Sequence, residues 1–412
     1  MANRRIYFAN QQVAFKPVGA SSWNVAHGVQ SVAVTTTFNL EQAFELGQLA
    51  IYENIEGVPD IEISATKVLD GYALLYHLAT DEDSHTHGPT LAGRSNASTV
   101  VALGIWPDTD DAAGDTNTNP KQQMEASGMF CSSVTYNFPL EDNFTEDVTL
   151  VGNNKGWLDF TSTEGDFINS CPDGRGGWVG DYAAGGFGGN DDAPKASGTT
   201  TLPGAVTASQ EGGVNRRENL SFALTNADLA SEAGSENGGW DYTRLPTEIP
   251  GVGTSGWISP KSADNEVHLQ SVTVSTDLGR EELFELGTRQ PYARIVTFPV
   301  EVTCDIEVLS LSGDQINAFA DGCVGTVADP CTGVVDNITD QTIRLATCEG
   351  TRIFLGSKNK LASVNYGGGD AGGGNVTVTY SYTTFNDFTV LHPQDPNVSG
   401  SGWWTNRGDY LK

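Results

Sequence analysis

Period-two alternation of apolar and polar residues runs through this chain, and it predicts strands rather than long helices. Val32 and Val34 face one way while Ser31, Ala33 and Thr35 face the other. Val272 and Val274 stand in the same relation to Ser271, Thr273 and Ser275. Ile61, Ile63 and Ala65 alternate with Glu62, Ser64 and Thr66. The clearest strand sets Val300, Val302, Cys304, Ile306 and Val308 against Glu301, Thr303, Asp305 and Glu307. Further strands are predicted over 72–78 and 99–105. Two more are marked by Phe130, Val134, Tyr136 and Phe138, and by Val376, Val378, Tyr380 and Tyr382. A short helix is predicted after each Val-faced strand. Asn39 and Gln42 open it and Gly47 closes it in one place; Gly279, Glu282 and Gly287 do so in the other. Two helical turns are marginal alone, so Phe44 and Phe284 are expected to anchor them by packing.

These pieces occur twice because the chain is duplicated. VQSVAVTTTFNLEQAFELGQ from Val29 and LQSVTVSTDLGREELFELGT from Leu269 open two stretches that match, ungapped, at about fifteen of some forty positions. Phe44-Glu45-Leu46-Gly47 recurs as Phe284-Glu285-Leu286-Gly287, and Tyr52, Ile55 and Pro59 recur as Tyr292, Ile295 and Pro299. The copies slip by one residue after the proline and realign at Val68 and Val308, which predicts a bulge in one of them. A weaker match sets Val134-Thr135-Tyr136 against Val378-Thr379-Tyr380 and Asn143-Phe144-Thr145 against Asp387-Phe388-Thr389. The organisation that follows is an arm (1–25), a first β domain (26–160), a Gly/Asp-rich insertion (161–262), a second β domain (263–395) and a tail (396–412). Within the insertion, Asn219–Leu229 is expected to form a short ordered element.

Composition narrows the function. The 412 residues include 48 glycines, with 52 acidic against 22 basic residues and a net charge of -30. Such a chain repels nucleic acid and anionic lipid. No opening stretch resembles a signal peptide and no window reaches membrane-span length, so synthesis and assembly in a cytoplasm, with no membrane insertion, is expected. The six cysteines show no CxxC spacing and read as buried thiols. Cys323, Cys331 and Cys348 leave a disulfide open. His85 and His87 beside Asp81, Glu82 and Asp83 have a spacing that could suit a metal, but the segment reads as a solvated loop tip. Asp108, Asp110, Asp111 and Asp115 lack the ligand order of an EF-hand. GxSxG, HExxH and Walker patterns are absent, so no catalytic residues, resident metal or cofactor are expected.

The QSV strand, the FELG element, the aromatic-proline turn and the EVT strand (Gln270–Ser310, and its partner over Gln30–Leu69) resemble tail tube proteins of long-tailed bacteriophages. That resemblance implies a mainly β fold: two tandem tube-like β-sandwich domains, each with a short flanking helix, joined by the long Gly-rich insertion. It implies a non-enzymatic virion protein that assembles with itself into stacked rings and meets tape measure, terminator, and baseplate or tip proteins. DNA would pass through the ring without specific binding. The family carries mostly one domain per chain; two per chain imply three chains imitating a hexamer. On this reading Asp60, Glu62, Glu301, Asp305 and Glu307 line the channel, and Phe44, Leu46, Gly47, Phe284, Leu286 and Gly287 make subunit contacts. Competing readings are a capsid decoration or minor tail protein, and a surface β-sandwich that binds glycans through Trp178, Trp403 or Trp404.

Overall fold

A computed structural model of the chain describes residues 6, 8–17, 23–47, 49–81, 89–106, 122–159, 166–167, 213–222, 242–252, 267–287, 291–310, 313–314, 316, 339–367 and 374–395. His85, His87, Asp108, Asp110, Asp111, Asp115, Trp178, Trp403, Trp404, Cys171, Cys323 and Cys331 lie outside them.

The alternating segments become strands. The first half of the chain runs β1 (Gln11–Pro17), β2 (Asn24–Val25), β3 (Val29–Thr37), β4 (Leu40–Phe44), β5 (Ile51–Glu56) and β6 (Asp60–Val68). Two short helices follow, α1 (Leu75–Ala79) and α2 (Leu91–Arg94). Then come β7 (Ser98–Ile105), β8 (Gln122–Pro139), β9 (Thr145–Gly152), β10 (Asn154–Asp159) and β11 (Asp166–Phe167). The second half runs β12 (Val267–Asp277), β13 (Arg280–Leu283), β14 (Ala293–Val296) and β15 (Glu301–Ser310). It ends with β16 (Arg344–Ala346), β17 (Arg352–Phe354), β18 (Lys360–Gly367), β19 (Thr377–Phe385) and β20 (Thr389–Leu391). The fold is mainly β, and every strand pair is antiparallel.

Duplication is visible in the pairing. The first half lays its strands side by side as β3-β6-β9-β8, and the second as β12-β15-β19-β18. Irregularities recur at the same places: between Val29 and Ser31 and between Leu269 and Ser271, then between Cys131 and Ser133 and between Leu361 and Ser363. Both copies therefore carry bulges in β3/β12 and β8/β18, and the bulge expected in one copy of the strand after the proline is not among them. After Pro59 and Pro299 the one-residue slip persists to the strand end: Ser31 faces Thr66 while Ser271 faces Glu307. Topology also corrects the terminal match. β8 corresponds to β18, so Val134-Thr135-Tyr136 is equivalent to Val364-Asn365-Tyr366 and not to the run at Val378.

Three local expectations give way to tertiary context. The FELG segments are the turns of hairpins, β4–β5 and β13–β14, rather than helices. Gly47 and Gly287 turn the chain with φ of 94° and 99°, a region costly for residues with a Cβ. Phe44 and Phe284 are exposed there instead of anchored. In place of the strand expected over 72–78 the chain forms α1 (Leu75–Ala79), and every residue of that helix is buried, so no face alternates toward solvent. The Glu146 carboxylate accepts the orphan amides of Leu75 (2.6 Å) and Tyr76 (3.0 Å), a partner supplied from across the fold. Finally, β1 and β2 extend the large sheet, so part of the N-terminal arm is built into the first half.

One apolar cluster joins both halves. Val272, Val274, Val302, Ile306, Tyr380 and Tyr382 share it with Leu74 and Leu75 near α1, and with Ile343, Ile353 and Val390 of the three-stranded sheet β16-β17-β20. Residues 242–252 pack into the same cluster through Leu245 and Ile249, and 213–222 rest against it through Leu220 and Phe222. Bridges Leu220 to Thr347 and Arg244 to Arg344 tie them to the second half, and the Asn215 amide donates to the Leu69 carbonyl of the first.

Candidate assembly surface

β8 and β12 join the two halves edge to edge. Val274 lies opposite Tyr136, Ser275 opposite Thr135 and Thr276 opposite Val134, and Thr273 donates to the Asn137 side chain across the seam. Main-chain pairing over seven residues and the burial of Tyr136, Val272 and Val274 make this a continuous sheet of eight strands.

The same two strands exist again at the outer ends, and among the described residues each is paired on one side alone: β3, equivalent to β12, with β6, and β18, equivalent to β8, with β19. Tyr136 is fully buried at the internal seam, whereas its counterpart Tyr366 is 48% exposed. An exposed strand edge is a template for another strand. The chain thus carries one half-seam at each end of its sheet, complementary in kind.

One face of the eight strands is apolar and covered, and the other is polar. Across the polar face run Ser31, Thr35, Glu62, Ser64, Thr66, Thr149, Asp147, Thr135, Asn137, Ser271, Thr273, Ser275, Glu301, Thr303, Asp305, Glu307, Thr379 and Ser381, read from the pairing register. Its charges are carboxylates, with Lys360 at the rim opposite Thr383. Asp60, Glu62, Glu301, Asp305 and Glu307 all fall on this face. Hydroxyls and amides tie some carboxylates down: Thr66 and Asn137 donate to Asp147 (2.5 and 2.9 Å), and Ser271 to Glu307 (3.1 Å). Pattern reading had found the five acids but missed Asp147, whose strand it did not single out.

The two hairpins are the other exposed feature. Leu46 and Leu286 at the tips, with Phe44, Phe284, Tyr52 and Tyr292 on the legs, lie open. The base of β13–β14 is docked on the first half of the chain. Arg280 donates through Nε to the Cys131 carbonyl (2.8 Å), and its guanidinium lies 5.2 Å from the Phe130 ring centre. Arg294 donates to Asn153 Oδ1 (3.0 Å), pairs with Glu282, and stands 3.6 Å from Asp60. Burial lowers the Arg280 pKa to about 10, so it stays charged at neutral pH. β4–β5 has the same internal register, but both its legs are exposed apart from half-buried Ala43.

Buried titratable groups serve the fold. Asp395 pairs with Arg94 and stands 3.8 Å from His77 Nδ1. Burial lowers the His77 pKa to about 4 and holds His392 well below its ordinary value. Burial raises Glu146, while the amides of Tyr76 and Leu75 and the Tyr136 hydroxyl pull it back. Cys131 and Cys304 are buried thiols, and Cys348 is exposed. Among the described residues no group of three His, Cys, Asp or Glu is placed to hold a metal ion, and no helix is long and apolar enough to cross a membrane.

No family model and no curated protein matches the chain. Solved structures give partial likenesses. A chain of the anti-feeding prophage cap (AFP tube terminating cap) aligns at TM-score 0.27 and 10% identity, over 39% of this chain and 94% of that one. A chain of the anti-feeding prophage baseplate aligns at 0.28 and 10%, over 39% and 99%. A chain of the sheath-tube complex of an extracellular contractile injection system (PVC), in its extended state, aligns at 0.26 and 12%, over 38% and 93%.

Proposed function

We propose that the chain is a structural, non-enzymatic subunit of a phage-type tail tube, closing into rings when β18 of one copy pairs with β3 of the next. The observation that carries this is the internal β8–β12 seam, whose two strands recur, open, at opposite ends of the sheet. Two different edges meeting head to tail make a heterologous contact, which generates a ring when the rotation closes. Transferring the register of the seam sets Val34 opposite Tyr366, Thr35 opposite Asn365 and Thr36 opposite Val364. Each chain contributes eight strands, so three chains enclose a barrel of about twenty-four, presenting six domain positions.

The polar face turns inward in this ring. Helices, the small sheet and the 242–252 segment pack on the apolar face, which leaves the hydroxyl-lined face to bound the channel. Carboxylates at Asp60, Glu62, Asp147, Glu301, Asp305 and Glu307 then repel phosphate, letting DNA pass without being held. The tube is a virion component assembled in the host cytoplasm, meeting tape measure, terminator, and baseplate or tip proteins at its ends. Electron microscopy and native mass spectrometry of purified protein test this reading. Rings of three chains, or hollow tubes built from them, are expected; a protein that stays monomeric at high concentration refutes it.

A further inference from the structure

Both legs of the first-half hairpin β4–β5 are exposed apart from half-buried Ala43, and its twin shows where such a hairpin docks. We propose that β4–β5 docks on the second half of the neighbouring copy, across the β18–β3 seam, in the pose that β13–β14 adopts across β8–β12. This rests on the ring reading above.

Equivalences read from the registers specify the contact. Leu40, Gln42 and Asn54 take the places of Arg280, Glu282 and Arg294. On the receiving side, Lys360 and Leu361 replace Phe130 and Cys131, Phe385 replaces Asn153, and Glu301 replaces Asp60. Each charged contact of the internal seam has thus changed character. Arg280 against the Phe130 ring becomes Leu40 against the Lys360 stem, a side chain able to cover apolar surface with its methylenes. Arg294 against Asn153 and Asp60 becomes Asn54 against Phe385 and Glu301, where the amide can donate to the carboxylate.

Exposure agrees with a missing partner on both sides. Leu40 is 60% exposed and Phe385 55%, although the latter's counterpart Asn153 accepts from Arg294 within the chain. The covering partner is a second copy because only that supplies the receiving residues while its own hairpin is left for the next. The differing chemistry of the two seams also discriminates. An Arg280-type base would bring its guanidinium against Lys360, so the second-half hairpin is disfavoured at the intermolecular site.

A charge test separates this from the ring itself. Leu40→Arg places a cation against Lys360 of the neighbour, and is expected to raise the protein concentration needed for ring formation roughly tenfold or more. Its monomer should melt as wild type does, since Leu40 is exposed within the chain. Adding Lys360→Phe, which recreates the internal Arg–aromatic pair, or Lys360→Glu should restore assembly to within about threefold of wild type. Rings that form equally well with Leu40→Arg, or a defect that neither second change relieves, overturn the docking while leaving the ring reading intact. Wild-type protein that forms no rings overturns both.

Discussion

Single residues carry the polar interior. Arg94 and Asp395 are both buried, so removing one partner leaves an uncompensated charge, which typically costs about 3–5 kcal/mol. Arg94→Met should lower the free energy of unfolding by about that amount in urea titration. His77 supplies an acid-sensitive element. Its folded pKa of about 4 lies below its ordinary value of 6.5, because burial outweighs the attraction of Asp395. The unfolded chain therefore takes up the proton first as pH falls. Stability from this group is complete above about pH 6.5 and lost progressively down to about pH 4, by roughly 3 kcal/mol in total. His77→Gln should flatten the pH dependence of unfolding in that window, with a remaining slope of the same sign carried by His392, whose pKa burial also lowers. An unchanged slope would place the acid sensitivity elsewhere.

At the scale of elements, the proposed ring depends on two strand edges. β3 and β18 each offer a row of main-chain donors and acceptors, and the internal seam supplies their register. Thr35→Cys combined with Asn365→Cys puts two thiols directly opposite each other between chains, within the reach of a cross-strand pair. Mild oxidation should give covalent dimers and trimers on a denaturing gel, and neither single variant should give that ladder. The matched control, Thr135→Cys with Ser275→Cys, spans the internal seam and should close only within a chain. Oligomers absent from the first pair, or equally abundant with Asn365→Cys alone, would contradict the predicted register.

On the scale of the whole molecule, charge and face act together. A net charge of -30 is spread over the chain, but the polar face concentrates carboxylates where a channel wall is expected. Changing Asp305 and Glu307 together to Lys should leave ring formation intact and turn the tube into a DNA binder whose affinity falls steeply with salt. Filter binding at two ionic strengths reads this directly. Assembled variant tubes that still ignore DNA would mean that this face does not border the channel.

Periodicity and self-similarity were enough to establish strands such as β3, β6, β12 and β15, their inward and outward faces, and the duplication. Val272, Val274 and Val302 are buried where alternation put them, and the acidic side of β15 is polar as read. Those features are local, since a pleated strand exposes one parity of side chains whatever its neighbours are. Tertiary structure decided what depends on partners distant in sequence. Tyr76 became helical because Glu146, seventy residues on, accepts its amide. Phe44 and Phe284 became exposed hairpin residues because strand pairing, absent from the capping pattern, outcompeted a two-turn helix. Tyr136 was matched to Tyr380 by spelling and to Tyr366 by pairing, since equivalence in a sheet is set by neighbours rather than letters. Only the assembled sheet revealed that one seam is closed and its twin open, because an edge is a property of what does not pair.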